Sequence, residues 1–216
     1  MVCLDNGKRV EPASPWRIAG WLFAAVAIGT LWQVVRLQQL DAAAWLARDY
    51  GMRLTTLAVL AIDPRVRAAV FRRERLKISL AVVICWSFWL IPLTFLMQIG
   101  GRIYGAYLPD FRVGFYPRPD GWLNLFDLTF GIALVALHEE LVFRRAVPHA
   151  LAHLGDGKML IVVSALVFGA FHWWTGIPNM AYATAFGVLA MLIYRRAGAL
   201  WPVMVMHYLA DLWAFT

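Results

Sequence analysis

The chain has 216 residues, of which 62% are hydrophobic and only 15% charged, with a mean hydropathy of +0.64. Soluble domains carry nearer 25% charged residues, so a water-soluble globule is excluded and several membrane helices of about 20 residues each are implied. The net charge of +7 argues no nucleic-acid partner, because Lys and Arg gather between apolar runs as they do in loops retained in the cytoplasm.

In chain order, the first apolar run, Ile18–Val35, follows Lys8, Arg9 and Arg17. It is long for a signal-peptide core and lacks a small-x-small cleavage site, so it reads as an uncleaved first helix. Asp41–Ile62 is a poor span carrying Arg48, Asp49 and Arg53, or an interfacial helix. The segment DPRVRAAVFRRERLK after it reads as a basic amphipathic helix on an anionic leaflet. Ile78–Ile99 is a clear span with a kink expected at Pro92. The stretch GRIYGAYLPDFRVGFYPRPDG reads as an ordered outer loop. Beyond it lie four further spans: Leu123–Leu154, Met159–Trp174, Pro178–Tyr194 and Leu200–Phe215. Tryptophans 16, 32, 122, 173, 174 and 201 fall near the ends of these runs, as an interfacial belt requires. The expectation is an all-α, polytopic bundle of six or seven transmembrane helices with its basic loops in the cytoplasm. Within this one membrane domain, residues 1–122 form the N-terminal helices, basic segment and outer loop, and 123–216 the helical core. Cys3 and Cys85 lie far apart, so no disulfide is expected.

Charge inside such a bundle marks function, because an unpaired charge near the bilayer centre costs at least ~2.5–3.5 kcal/mol. The chain has four glutamates, and Glu139 and Glu140 are adjacent within an apolar run, with Arg144 and Arg145 just beyond them. Neighbours on a helix point ~100° apart, so one acid at most faces a given cavity. Glu140 and Arg144 have the spacing and order of an intrahelical pair, which leaves Glu139 for chemistry. His138 is expected to point away from the Glu139 face and to bind nothing. Phe168 and His172 lie on the next helix. Glu139 is sixteen residues before Gly155 and His172 fifteen after Gly157, so across the Gly155–Asp156–Gly157 turn the two reach the same depth. A carboxylate beside an imidazole can activate water. His207 and Asp211 share a face of the last helix, nine to thirteen residues beyond the Arg196–Gly198 turn. Three helices thus bring polar groups to one layer. His149 and His153, also four apart, read as interfacial histidines. Val142 excludes an H-E-x-x-H zinc motif, and neither a G-x-S-G serine site nor a G-x-G-D aspartyl site occurs. A layer with no ladder of ionisable groups to both faces argues against a proton or ion carrier.

The three motifs, Glu139-Glu140-Leu141-Val142-Phe143-Arg144, Phe168-Gly169-Ala170-Phe171-His172 and His207-Tyr208-Leu209-Ala210-Asp211, resemble in order and spacing those of the CPBP family. These are the CAAX-type intramembrane endopeptidases, which include the Ras-converting CAAX protease and bacteriocin-processing or self-immunity proteins. The resemblance covers about residues 123–215. It implies an intramembrane protease in which Glu139 activates water with help from His172, His207 and Asp211 stabilise the oxyanion, and Glu140, Arg144 and Phe168 give support. A non-catalytic immunity or scaffold protein of the same family is the alternative. Asp211 stands where asparagine is commoner, and an ionised carboxylate cannot donate to an oxyanion. That leaves two readings: no cofactor, or one divalent metal such as zinc held by Glu139, His172, His207 and Asp211. The resemblance implies an integral protein of a bacterial cytoplasmic membrane, acting on a membrane-anchored protein or lipid-linked peptide within the bilayer.

Overall fold

The computed structural model describes residues 3–5, 8–34, 41–107, 116–155 and 157–216. Apart from a short antiparallel hairpin, Cys3–Asp5 with Lys8–Val10, the described chain is helical. Val35, Arg36, the central part of the outer loop (108–115) and Asp156 lie outside the described residues. The chain divides into two compact units. One comprises Met1–Arg73, Pro117–His153 and His207–Thr216, the other Glu74–Tyr116 and Leu154–Met206.

In the first unit, α1 (Pro15–Val34) packs on α2 (Ala42–Ile62). Asp41 starts α2 by accepting the amide of Ala44 at 2.7 Å. Asp63 ends α2 and caps α3 (Pro64–Val70), accepting Arg65 N–H at 2.8 Å, with Pro64 in the first turn where its missing N–H costs nothing. Asp63 also takes the Arg17 guanidinium and the Trp21 indole N–H from α1. The expected amphipathic surface helix is therefore corrected. Helical structure stops at Val70, and Val66, Ala68, Ala69 and Val70 are buried in the protein. Arg145 Nη1 donates to the carbonyls of Val70 (2.7 Å) and Arg72 (2.9 Å), closing the end of that helix.

The rest of this unit is built on a long interrupted helix: α6 (Gly121–Phe126), α7 (Ile132–Leu141) and α8 (Val147–Ala150), joined by π-helical turns at Asp127–Gly131 and Val142–Ala146. Each π turn inserts a residue and rotates the helix beyond it, a feature frequent at functional sites. Pro148, with no N–H for the Arg144 carbonyl, lies just beyond the second.

In the second unit, α4 (Leu80–Ser87) and α5 (Leu90–Tyr107) are separated by a turn at Phe88–Trp89. This is the break expected from Pro92, displaced one turn towards the N-terminus because the proline ring collides with the carbonyl of residue 88. The outer loop begins later than expected, since residues 101–107 continue α5. The helix α9 (Lys158–Phe171) packs closely on α10 (Ile177–Ala197). A Cβ at Gly169 would strike the Thr184 hydroxyl and stand 2.7 Å from the Met180 carbonyl, and one at Gly187 would stand 3.2 Å from Ala165. Small residues here let two backbones approach, as membrane helices do. Finally α11 (Trp201–Phe215) gives its first turns to this unit and His207 onward to the other.

Among the described residues, two helical stretches are long and apolar enough to cross a bilayer, Leu80–Tyr107 and Ile177–Ala197. Along the first, Ile84, Phe88, Trp89, Ile91, Phe95, Leu96 and Ile103 are exposed, a surface suited to lipid. The other expected spans mostly fall short for physical reasons. Helix α9 has 14 residues and α11 has 15, while α2 and α7 carry buried charges.

Candidate active site

The first unit gathers most of the expected residues at one place. Glu139 and Glu140 end α7, and both are buried, with 3% and 0% exposure. Glu140 and Arg144 form the expected pair, with Arg144 Nε 2.8 Å from Oε2 and Nη2 3.3 Å from Oε1. From α11, His207 Nδ1 comes within 2.8 Å of Glu140 Oε1. A carboxylate partner fixes that nitrogen as the donor and turns Nε2 to the other side. Nε2 then faces two acids, Asp211 Oδ2 at 3.5 Å and Glu139 Oε2 at 3.8 Å. Neither distance is a good direct hydrogen bond, and such gaps suit an intervening water.

Glu139 is not left alone by the Glu140–Arg144 pair. Arg53 of α2 reaches it, Nη1 standing 2.9 Å from Oε1, while Arg53 Nε donates to Asp49 at 2.8 Å. His138 is corrected as well. It is buried, and its Nδ1 lies 3.2 Å from Arg53 Nη1. Arginine has only donors, so this nitrogen accepts and the ring proton sits on Nε2. The reasoning from ~100° separation failed because Arg53 is long enough to touch both neighbours. One turn along α2, Tyr50 donates its hydroxyl to the buried Asp127 of the first π turn. A Cβ at Gly131 would run into both groups, so glycine is what lets α2 approach there.

Arg53, Asp49, Tyr50 and Asp127 were missed as site residues. The available signal was Asp49 and Arg53 four apart in an otherwise apolar helix, a spacing that pairs charges on one face.

His172 and Phe168 belong to the second unit. His172 is the residue that ends α9, one turn earlier than the span expected to reach Trp174. Its Nδ1 donates to the Phe168 carbonyl at 2.9 Å, which places the ring proton there and leaves the lone pair on Nε2. Phe168, buried at 1% exposure, sets its ring edge to the imidazole, with centroids 4.8 Å apart. His149 bonds the Arg145 carbonyl and His153 stacks on Trp16, so these two take no part in the cluster.

A metal needs several donors turned to one point. Among the described residues no three His, Cys, Asp or Glu side chains are arranged to hold one ion. Within the cluster, Glu139 Oε1 meets the Arg53 cation and is thereby turned to a protein partner.

No curated protein and no solved structure matches this chain. A family model does, described as Type II CAAX prenyl endopeptidase Rce1-like, over residues 121–213. That range holds Glu139, Glu140, Arg144, Phe168, His172, His207 and Asp211, so the chain carries a domain of the Rce1-like type II CAAX prenyl endopeptidase family.

Proposed function

We propose that this protein is an intramembrane endopeptidase that hydrolyses a peptide bond in a membrane-associated protein or lipid-linked peptide by glutamate-activated water. The observation that carries the reading is the juxtaposition of the buried Glu139 Oε2 and His207 Nε2 with the half-buried Asp211 Oδ2 within a protease-family domain. A water held among them gives its proton to Glu139, and its oxygen adds to the substrate carbonyl carbon. His207, oriented by Glu140 behind it and Asp211 beside it, stabilises the oxyanion that develops. As the C–N bond breaks, Glu139 returns the proton to the leaving amine. Arg144 holds Glu140 in place, so that Glu140 can hold His207. The chemistry as drawn uses protein groups alone, and the cation of Arg53 beside Glu139 supports that choice.

The bundle is read as six or seven spans in a bacterial cytoplasmic membrane, with the basic loops inside. The test uses purified protein in proteoliposomes and quenched-fluorescent CAAX-type peptides with and without a farnesyl group. Cleavage of the lipid-linked peptide that persists in a strong chelator is expected. Failure to cleave any lipid-linked peptide overturns the reading, and reversible inactivation by chelation overturns its metal-independent form.

A further inference from the structure

The family match begins at residue 121, yet Glu139 is contacted by a residue far upstream. We propose that Arg53 of α2 is a positioning residue for Glu139, holding Oε1 so that Oε2 is presented to water beside His207. The proposal rests on the glutamate–water reading above and extends the working site beyond the matched domain.

The geometry supports a clamp rather than a casual contact. Arg53 is a planar fork with its donors fixed relative to one another. Nε is taken by Asp49 at 2.8 Å, and Nη1 by Glu139 at 2.9 Å and His138 at 3.2 Å. With one edge locked to Asp49 on its own helix, the guanidinium cannot turn without breaking that bond. The side chains of Arg53, Asp49 and Glu139 are 7%, 10% and 4% exposed, so water offers little competition. The helix carrying the clamp is itself registered on the π turn at Asp127–Gly131, through Tyr50 and the glycine approach. Tyr50 and Arg53 are three apart and therefore on one face of α2. A carboxylate bonded through one oxygen keeps a defined orientation of the other. Small misplacements of a reacting group cost ~10²-fold in rate.

The alternative is that Arg53 only glues two helices together, and one set of proteins separates the cases. Wild type, Arg53→Met, Arg53→Lys, Glu139→Gln and the Arg53→Met/Glu139→Gln double variant are compared in proteoliposomes for kcat and KM on a farnesylated CAAX-type peptide, and in detergent for Tm. A clamp predicts that Arg53→Met loses about 10²-fold in kcat at little change in KM, with Arg53→Lys between it and wild type. It also predicts that the Tm lost in Arg53→Met is partly recovered in the double variant, because a neutral amide at 139 does not need the cation while Asp49 still lacks it. Wild-type kcat in Arg53→Met overturns the proposal, as does an equal Tm loss in the Glu139→Gln background. If Arg53→Met does not fold, Arg53→Lys carries the kinetic comparison, and unchanged kcat there overturns it likewise. An inactive wild type fails the hydrolysis reading, and the catalytic meaning of the clamp with it, whereas a coupled thermal cycle then still assigns the contact.

Discussion

Replacing Arg144 by methionine isolates the part of the cluster that holds it together. Arg144 and Glu140 have fully buried side chains and share two hydrogen bonds, at 2.8 and 3.3 Å. Removing one partner of a buried pair leaves an uncompensated charge and costs about 3–5 kcal/mol. Here His207 still bonds Glu140 Oε1 at 2.8 Å, which places the loss at the lower end. For a chain of this size each kcal/mol moves Tm by about 2–4 °C, so the expected fall is about 6–12 °C. Scanning fluorimetry in detergent reads it directly. Adding Glu140→Gln to Arg144→Met should recover part of the loss, because the amide oxygen still accepts from His207 and no charge is stranded. An Arg144→Met protein within about 2 °C of wild type would refute the claim that this pair is buried and uncompensated without its arginine.

Asp211→Asn supplies a neutral donor beside His207, so peptide turnover should be retained or raised; loss of turnover in the variant, with chelator-sensitive wild type, would assign Asp211 to a metal instead. Gly169→Ala should cost about 1–3 kcal/mol by forcing α9 from α10, and Thr184→Ala in the same protein should relieve part of it, both read as Tm. Burial alone would raise the Asp63 carboxyl, but Arg17, the Arg65 and Val66 amides and Trp21 outweigh it and hold it below the usual carboxylate range. Its contribution to stability is therefore present above the unfolded value of about 3.9 and is lost as pH falls further. Asp63→Asn should lower Tm at neutral pH and flatten the acid limb of Tm against pH, and a limb of unchanged slope would contradict this.

The helical architecture was legible because apolar run length and charge depletion are strong signals, and the Glu140–Arg144 and His207–Asp211 contacts came from helical spacing alone. The contacts that were missed depend on chain geometry that spacing does not encode. Arg53 reads from sequence as a flaw in a poor span. Only the packing of α2 against α7 shows its guanidinium spanning Asp49, Glu139 and His138. The π turns changed the phase of the long helix at two points, and no hydrophobic period announces an inserted residue. The basic segment after Asp63 has a membrane-surface pattern, but its apolar side is covered by protein, and Arg145 ends its helix early. The same alternation of basic and apolar residues serves either environment, so composition could not choose between them.

The most direct test of the central claim is turnover of a farnesylated CAAX-type peptide by Glu139→Gln beside wild type, at equal amounts of folded protein in proteoliposomes. The substitution keeps the shape of the side chain and removes its capacity to take a proton. Wild type is expected to cleave the peptide, and the variant to lose about 10²-fold or more in kcat. Turnover by Glu139→Gln at the wild-type rate would contradict the claim.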